Sequence, residues 1–294
     1  MTHPYATAAY GESLAHWGKD IWVPAWNMPV VMRPIADAAF DVAGVYPFSA
    51  FPPDTNIQAG LDFIREHGAV SATFVLDDYH RPNLEVLRDT STVLRPFKTH
   101  YINRPELGPL RYDTHHSRAL KKALTQVQVK AFALSEHLPS WCALYDYLIQ
   151  ELKLTGLHAF PHEYHRQIAA IPGMVAIGGW IEDRFVSCHI WACDDKTAHS
   201  HLVASNAEGY EARAGFAVND FSLRYFADKQ VINFGGGAGN TDDPDDGLAR
   251  FKRGFSNDTA QSYIAGIVLD ETRYKSYSGA AQTDYFPAYR APKP

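Results

Sequence analysis

Apolar residues along this chain recur at two spacings that alternate from one segment to the next. From Gln58 to His67, Leu61, Phe63 and Ile64 give a helical stripe closed by Gly68. Ala69 to Leu76 follows as a strand. Upstream, Trp22 to Ile35 predicts short strands broken at Pro24, Pro29 and Pro34, then a loop from Asp41 to Phe48. Val93 to Ile102 predicts a strand with Pro96 near its middle, and Asn103 to Pro109 is turn-forming. The second half is clearer. His115 to Val127 places Leu120, Ala123, Leu124 and Val127 on one face of an amphipathic helix, and a strand runs from Val127 to Leu134. Leu138 to Thr155 predicts a longer helix stopped at Gly156. Met174 to Trp180 and Phe185 to Ala192 form a hairpin around Glu182, Asp183 and Arg184, with a third strand from His199 to Ser205. A helix from Ala214 to Lys229 leads to a short buried strand, Val231 to Phe234, and the glycine run Gly235 to Gly239. Helices alternating with strands and a hairpin predict α/β layers over a mixed sheet.

Composition narrows the class. The chain has 294 residues, 46% hydrophobic and 20% charged, which suits a soluble protein of two domains. Its formal charge of −6 argues against a general nucleic-acid binder but leaves room for a local basic groove. Cys142, Cys188 and Cys193 are odd in number and form no CxxC, as expected of a reducing cytoplasm. Residues 1–10 show no basic and apolar leader pattern, and no run of about 18 apolar residues occurs. Neither a signal peptide nor a membrane span is expected.

Three segments carry motifs that belong together. The first is Val231 to Gly237, a strand ending in Phe-Gly, followed after an acidic loop by Gly247, Leu248, Phe251, Lys252 and Phe255. The second is the helix from Tyr112 to Ala123. The third joins Val30, Arg33, Pro34 and Ile35 to the later Asp41, Val45 and Tyr46. Together these segments resemble the Fem peptidyltransferase family and the wider GNAT acyltransferase superfamily, and the resemblance implies an α/β fold of two tandem GNAT-like domains, with mixed sheets around a shared cleft. The expected boundaries are 1–105 for the N-terminal half and 106–270 for the C-terminal domain, with 271–294 as a tail packing back on the first half. It also implies amide-forming acyl transfer to a small-molecule amine. The donor would be acyl-CoA or aminoacyl-tRNA, with no tightly bound cofactor and no DNA or membrane partner. Lys252, beside Phe251, would sit at the donor and transition-state end.

The residues themselves bear on that chemistry. Amide formation needs a neutral amine, an activated carbonyl and a group that stabilises the oxyanion; a preorganised cation contributes roughly 3–4 kcal/mol in a dry site. Lys252 fits that role, against the plainer reading of a surface lysine on a strand end. Gly235, Gly236 and Gly237 could bring backbone N–H groups to a ligand, or serve as a turn. The run lacks the P-loop Gly-Lys-Ser/Thr and the third glycine of GxGxxG. Arg118, Lys121 and Lys122 could hold phosphate near a helix N-terminus, or form a solvated face. Arg33, Asp41, Tyr46 and Arg213 are candidates for gripping the acceptor. Asp41, Tyr46 or Glu163 could act as base, as could the substrate itself. Asp242 to Asp246 departs from the EF-hand pattern at Pro244 and Arg253, so a solvated acidic loop is expected. His162 to His165 is one residue short of HExxH, and Pro161 breaks the helical alignment of His158 with His162, so no metal is expected. No GxSxG occurs and Cys142 has no evident partner, so covalent catalysis has no support. Two family features are missing: a long helical arm, and the GNAT pyrophosphate loop. A non-catalytic small-molecule binding protein on the same fold is the competing reading.

Overall fold

In chain order the elements are α1 (Ala8–Ser13), β1 (Lys19–Val23), β2 (Met28–Pro34), β3 (Phe40–Ala43), α2 (Ile57–Glu66), β4 (Ala69–Leu76), α3 (Leu84–Thr90) and β5 (Val93–Asn103). There follow α4 (Thr114–Ala123), β6 (Gln128–Phe132), α5 (Leu138–Leu152), α6 (His162–Ile168), β7 (Met174–Ile181), β8 (Arg184–Cys193) and β9 (Thr197–Ser205). The chain continues with α7 (Ala207–Glu211), α8 (Ala214–Tyr225), β10 (Val231–Asn233), α9 (Gly247–Arg253), β11 (Asp258–Val268) and α10 (Glu271–Ser278). This computed structural model describes residues 1–36, 39–52, 54–239, 242–279 and 283–291. The chain divides into unit I, Met1–Pro4 with Thr99–Ala260, and unit II, Tyr5–Lys98 with Gln261–Pro294.

In unit I the strands lie in the order β5-β10-β9-β8-β7-β6. The pair β10/β9 is parallel, and the other neighbours are antiparallel. Helices α7 and α8 make the crossover that a parallel pair requires. Side chains alternate across β8 and β9. His189 and Ser200 face α8, whereas His201 faces α6 through Tyr164. Trp191, Phe216, Phe226, Phe234 and Phe255 build the core on the α8 face. Fully burying such an aromatic side chain is worth roughly 1.5–3 kcal/mol.

In unit II the order is β1-β2-β3-β4-β11, with β3/β4 parallel and α2 in the crossover. Trp26, Phe51 and Phe74 form an edge-to-face cluster beneath α2. Gly60 of α2 sits on the Trp26 indole, where a Cβ would come within 2.0 Å of Nε1. Residues 261 onward contribute β11 and α10 to this unit.

Several elements differ from the sequence expectation. Asp41 lies in β3 and not in a loop, because pairing with β2 extends the chain there. Helix α5 stops at Leu152; Lys153 takes the left-handed conformation, φ 50°, expected of Gly156. Lys252 is on a helix and not at a strand end. Strand β11 carries Ala260, Ser262, Ala265 and Gly266, small side chains that leave little hydrophobic alternation to read.

Candidate active site

Lys252 rides on α9, a helix of 7 residues that would be marginal alone. Both its ends are tied down. Asp246 caps the start, its Oδ2 accepting from the Ala249 N–H at 2.9 Å. At the other end His116, buried in α4, sets Nε2 against the Phe251 carbonyl oxygen at 3.0 Å. Its ring lies over Gly254, where a Cβ would come within 1.9 Å. The Phe251 ring packs on Phe216 and Phe255 at 4.9 and 5.2 Å between centroids, so this residue anchors the lysine and presents no polar atom of its side chain.

The Lys252 ammonium donates to the Gly236 carbonyl oxygen at 2.7 Å. Gly235 has φ +75°, and a Cβ there would stand 3.4 Å from the same Nζ. Its own N–H goes to Asn233 Oδ1 at 2.8 Å. Gly237 faces Asp246, and the Ala238 N–H donates to Asp246 Oδ2 at 3.0 Å. The glycine run therefore seats the lysine through a carbonyl and turns its next amide toward a carboxylate. The acidic loop is not purely solvated either: Asp242 accepts from the Thr99 N–H at 3.0 Å and Oγ1 at 2.8 Å.

Three residues that motif reading missed are joined by hydrogen bonds on the α8 face, and one of them, His189, feels the Lys252 charge. His189 places Nδ1 2.9 Å from Asn219 Oδ1 and Nε2 2.8 Å from Ser200 Oγ. Burial pushes His189 down to about 3; the hydrogen bond to Asn219 opposes this, and the charge of Lys252 adds to it. β10 ends at Asn233, opposite His199, while β9 runs on to Ser205. Among the described residues no strand pairs with β9 past His199 on that side. Ser200 is thus the first residue of the open edge. The only sequence signal was a pair of polar residues, Ser187 and His189, inside the mostly apolar strand β8.

A second feature gathers cations. Thr114, His115, Arg118, Ala119, Lys122 and Arg213 line a cavity of about 450 Å³. The first turn of α4 borders it, and Arg213, with φ 61°, immediately precedes α8. Helix N-termini favour anions. Lys122 Nζ donates to the Glu211 carbonyl oxygen at 3.0 Å, while among the described residues neither Arg118 nor Arg213 is paired with a carboxylate. So the structure brings together Arg118 and Lys122, expected at the donor, and Arg213, expected at the acceptor. Lys121 is exposed outside this lining.

Arg33, Asp41 and Tyr46 belong to unit II. Asp41 is fully buried and accepts from Arg33 Nε at 2.9 Å and Arg290 Nε at 2.6 Å. Tyr289 OH adds a contact at 3.3 Å. Arg33 and Asp41 thus engage each other in a clamp that ties the C-terminal residues to β2 and β3. The Tyr46 carbonyl oxygen accepts from Tyr10 OH at 2.5 Å, and burial pushes its phenol up to about 12. Glu163 pairs with Arg166 on α6. Among the described residues no cluster of three or more His, Cys, Asp or Glu could hold a metal ion, and no helix is long and apolar enough to cross a membrane.

Each unit holds a mixed run of strands with one parallel pair bridged by helix, and the fold is Fem-like. The solved structures that share it include FemX, at a TM-score of 0.63 and 11% identity over 92% of this chain and 93% of that one. L-PGS from Bacillus licheniformis matches at 0.58 and 10%, over 90% and 93%. The C-terminal domain (DUF2156) of an Agrobacterium fabrum protein, described as a lysylphosphatidylglycerol synthetase, matches at 0.62 and 11%, over 92% and 90%. No family model and no curated protein matches the sequence.

Proposed function

We propose that the protein is an acyltransferase that forms an amide bond, moving an acyl or aminoacyl group from an activated donor to a small amine. One observation carries this reading: the Lys252 ammonium is held at Gly236 by a helix fixed at both ends, beside the open edge of β9. A fixed cation in a partly dry site stabilises a carbonyl oxygen as it turns anionic. The open edge offers backbone groups to a donor chain with amides of its own, and holding donor and amine together supplies much of the rate. The cavity of Arg118, Lys122 and Arg213 suits the phosphates of either acyl-CoA or tRNA. FemX and L-PGS, which share the fold, support the transferase class.

Single-turnover transfer from panels of acyl-CoA and aminoacyl-tRNA donors to amines tests the reading. Lys252→Ala should lower kcat roughly 10-fold or more while the protein stays folded. An unchanged kcat removes Lys252 from the chemistry. Retention of tRNA that falls steeply with salt identifies tRNA as donor; turnover of acyl-CoA without tRNA retention identifies the thioester.

A further inference from the structure

Three polar side chains, of which His189 feels the Lys252 charge, form a directed chain. Asn219 on α8 accepts at Oδ1 from His189 on β8, which assigns the imidazole proton to Nδ1 and leaves the lone pair on Nε2. That lone pair faces Ser200 Oγ on β9 at 2.8 Å, so the hydroxyl donates to His189 and turns its own lone pairs outward. Asn219 and His189 are buried, and the His189 ring lies 4.0 Å from Trp191. Ser200 alone of the three is not buried. It is the first residue of β9 beyond the end of β10, and Gly235 and Gly236, with the Lys252 ammonium, follow that same end.

We propose that Ser200 takes the proton of the attacking amine and passes its own to His189, with Asn219 positioning the imidazole; this rests on the acyl-transfer reading. The amine nitrogen bonds to the donor carbonyl carbon, and the carbonyl electron pair moves onto oxygen, beside Lys252. The nitrogen is then positively charged and its N–H acidic. That proton goes to Ser200 Oγ as the Ser200 proton goes to His189 Nε2. When the oxyanion collapses, the bond from carbon to the donor sulfur or oxygen breaks. The leaving atom takes the proton back along the same path, so protons and electrons balance.

The environment favours a relay over a serine nucleophile. A buried imidazole of such low basicity does not strip a neutral alcohol, but it shares the proton of a tetrahedral ammonium. The oxyanion offsets the Lys252 charge, the smallest of the causes acting on His189, while burial, the largest, remains, so the imidazole shares the proton in passing and holds no lasting charge.

Two measurements test the relay. In ¹⁵N-histidine-labelled protein near neutral pH, His189 should show a bare, hydrogen-bonded Nε2 whose resonance moves in Ser200→Ala. A proton on Nε2 in the native chain overturns the relay, because Ser200 would then be the acceptor. In transfer from acetyl-CoA and from alanyl-tRNA to hydroxylamine, Ser200→Ala should lower kcat roughly 10²-fold with the donor KM unchanged. Ser200→Thr keeps the hydroxyl, suits a strand and should recover most of that loss. Native kcat in Ser200→Ala sinks the relay and leaves acyl transfer standing. A native chain that transfers from neither donor overturns both.

Discussion

At the scale of single residues, unit I is unusual for its buried imidazoles. His3, His100, His116, His165, His189, His199 and His201 are all buried. Two of them give a signed prediction. Burial pushes His189 down to about 3 and, with His165, His3 and His189 nearby, His201 also to about 3, against an ordinary value of 6.5. The folded chain holds both neutral, and the unfolded chain protonates first as pH falls. Their contribution is therefore complete above about pH 6.5 and is lost as pH drops from there toward 3, at up to about 1.4 kcal/mol per pH unit for each. Denaturant unfolding between neutral pH and pH 4 should show this slope, and His201→Gln should flatten it. A slope unchanged by that substitution removes His201 from the account.

At the scale of elements, a short helix places the lysine, and its cap matters more than its propensity. Asp246 both caps α9 and holds the Ala238 N–H of the glycine loop. Asp246→Ala should cost about 1 kcal/mol in stability, measured by denaturant titration. Transfer activity should fall beyond what that loss of stability explains, because Lys252 loses its fixed seat. Asp246→Asn keeps the acceptor and should preserve both. The element also explains the glycines. Gly235 is required by its positive φ and Gly254 by the His116 ring above it, whereas nothing lies within 4 Å of a Cβ at Gly247. In the sequence all three look alike.

At the scale of the molecule, unit II is assembled from both ends of the chain. β11 pairs with β4 through Val268↔Ser71, and Arg290 completes the Asp41 clamp. A chain ending at residue 260 should therefore lose both a strand of that sheet and one of two cations on a fully buried carboxylate. Removing one partner of a buried ion pair typically costs roughly 3–5 kcal/mol. Circular dichroism and thermal melting should show reduced strand content and a lower, broader transition; a native-like melt would refute the account.

The sequence by itself determined most elements, because hydrophobic spacing is a local property. The helices at α2, α4, α5 and α8 and the β7/β8 hairpin were legible, as was the order of helices and strands that goes with the fold. Lys252 was singled out by its neighbours in sequence, Phe251, Phe255 and the Phe-Gly strand, and the structure sets its ammonium against the Gly236 carbonyl oxygen. Tertiary structure alone decided what these residues face. Arg33 and Asp41 were read as acceptor contacts and lie in a clamp closed by Arg290, 249 residues away from Asp41. Ser200, His189 and Asn219 carry no motif. They meet because β8 and β9 pair and α8 packs on β8, and no spacing in one dimension records a contact made in the third.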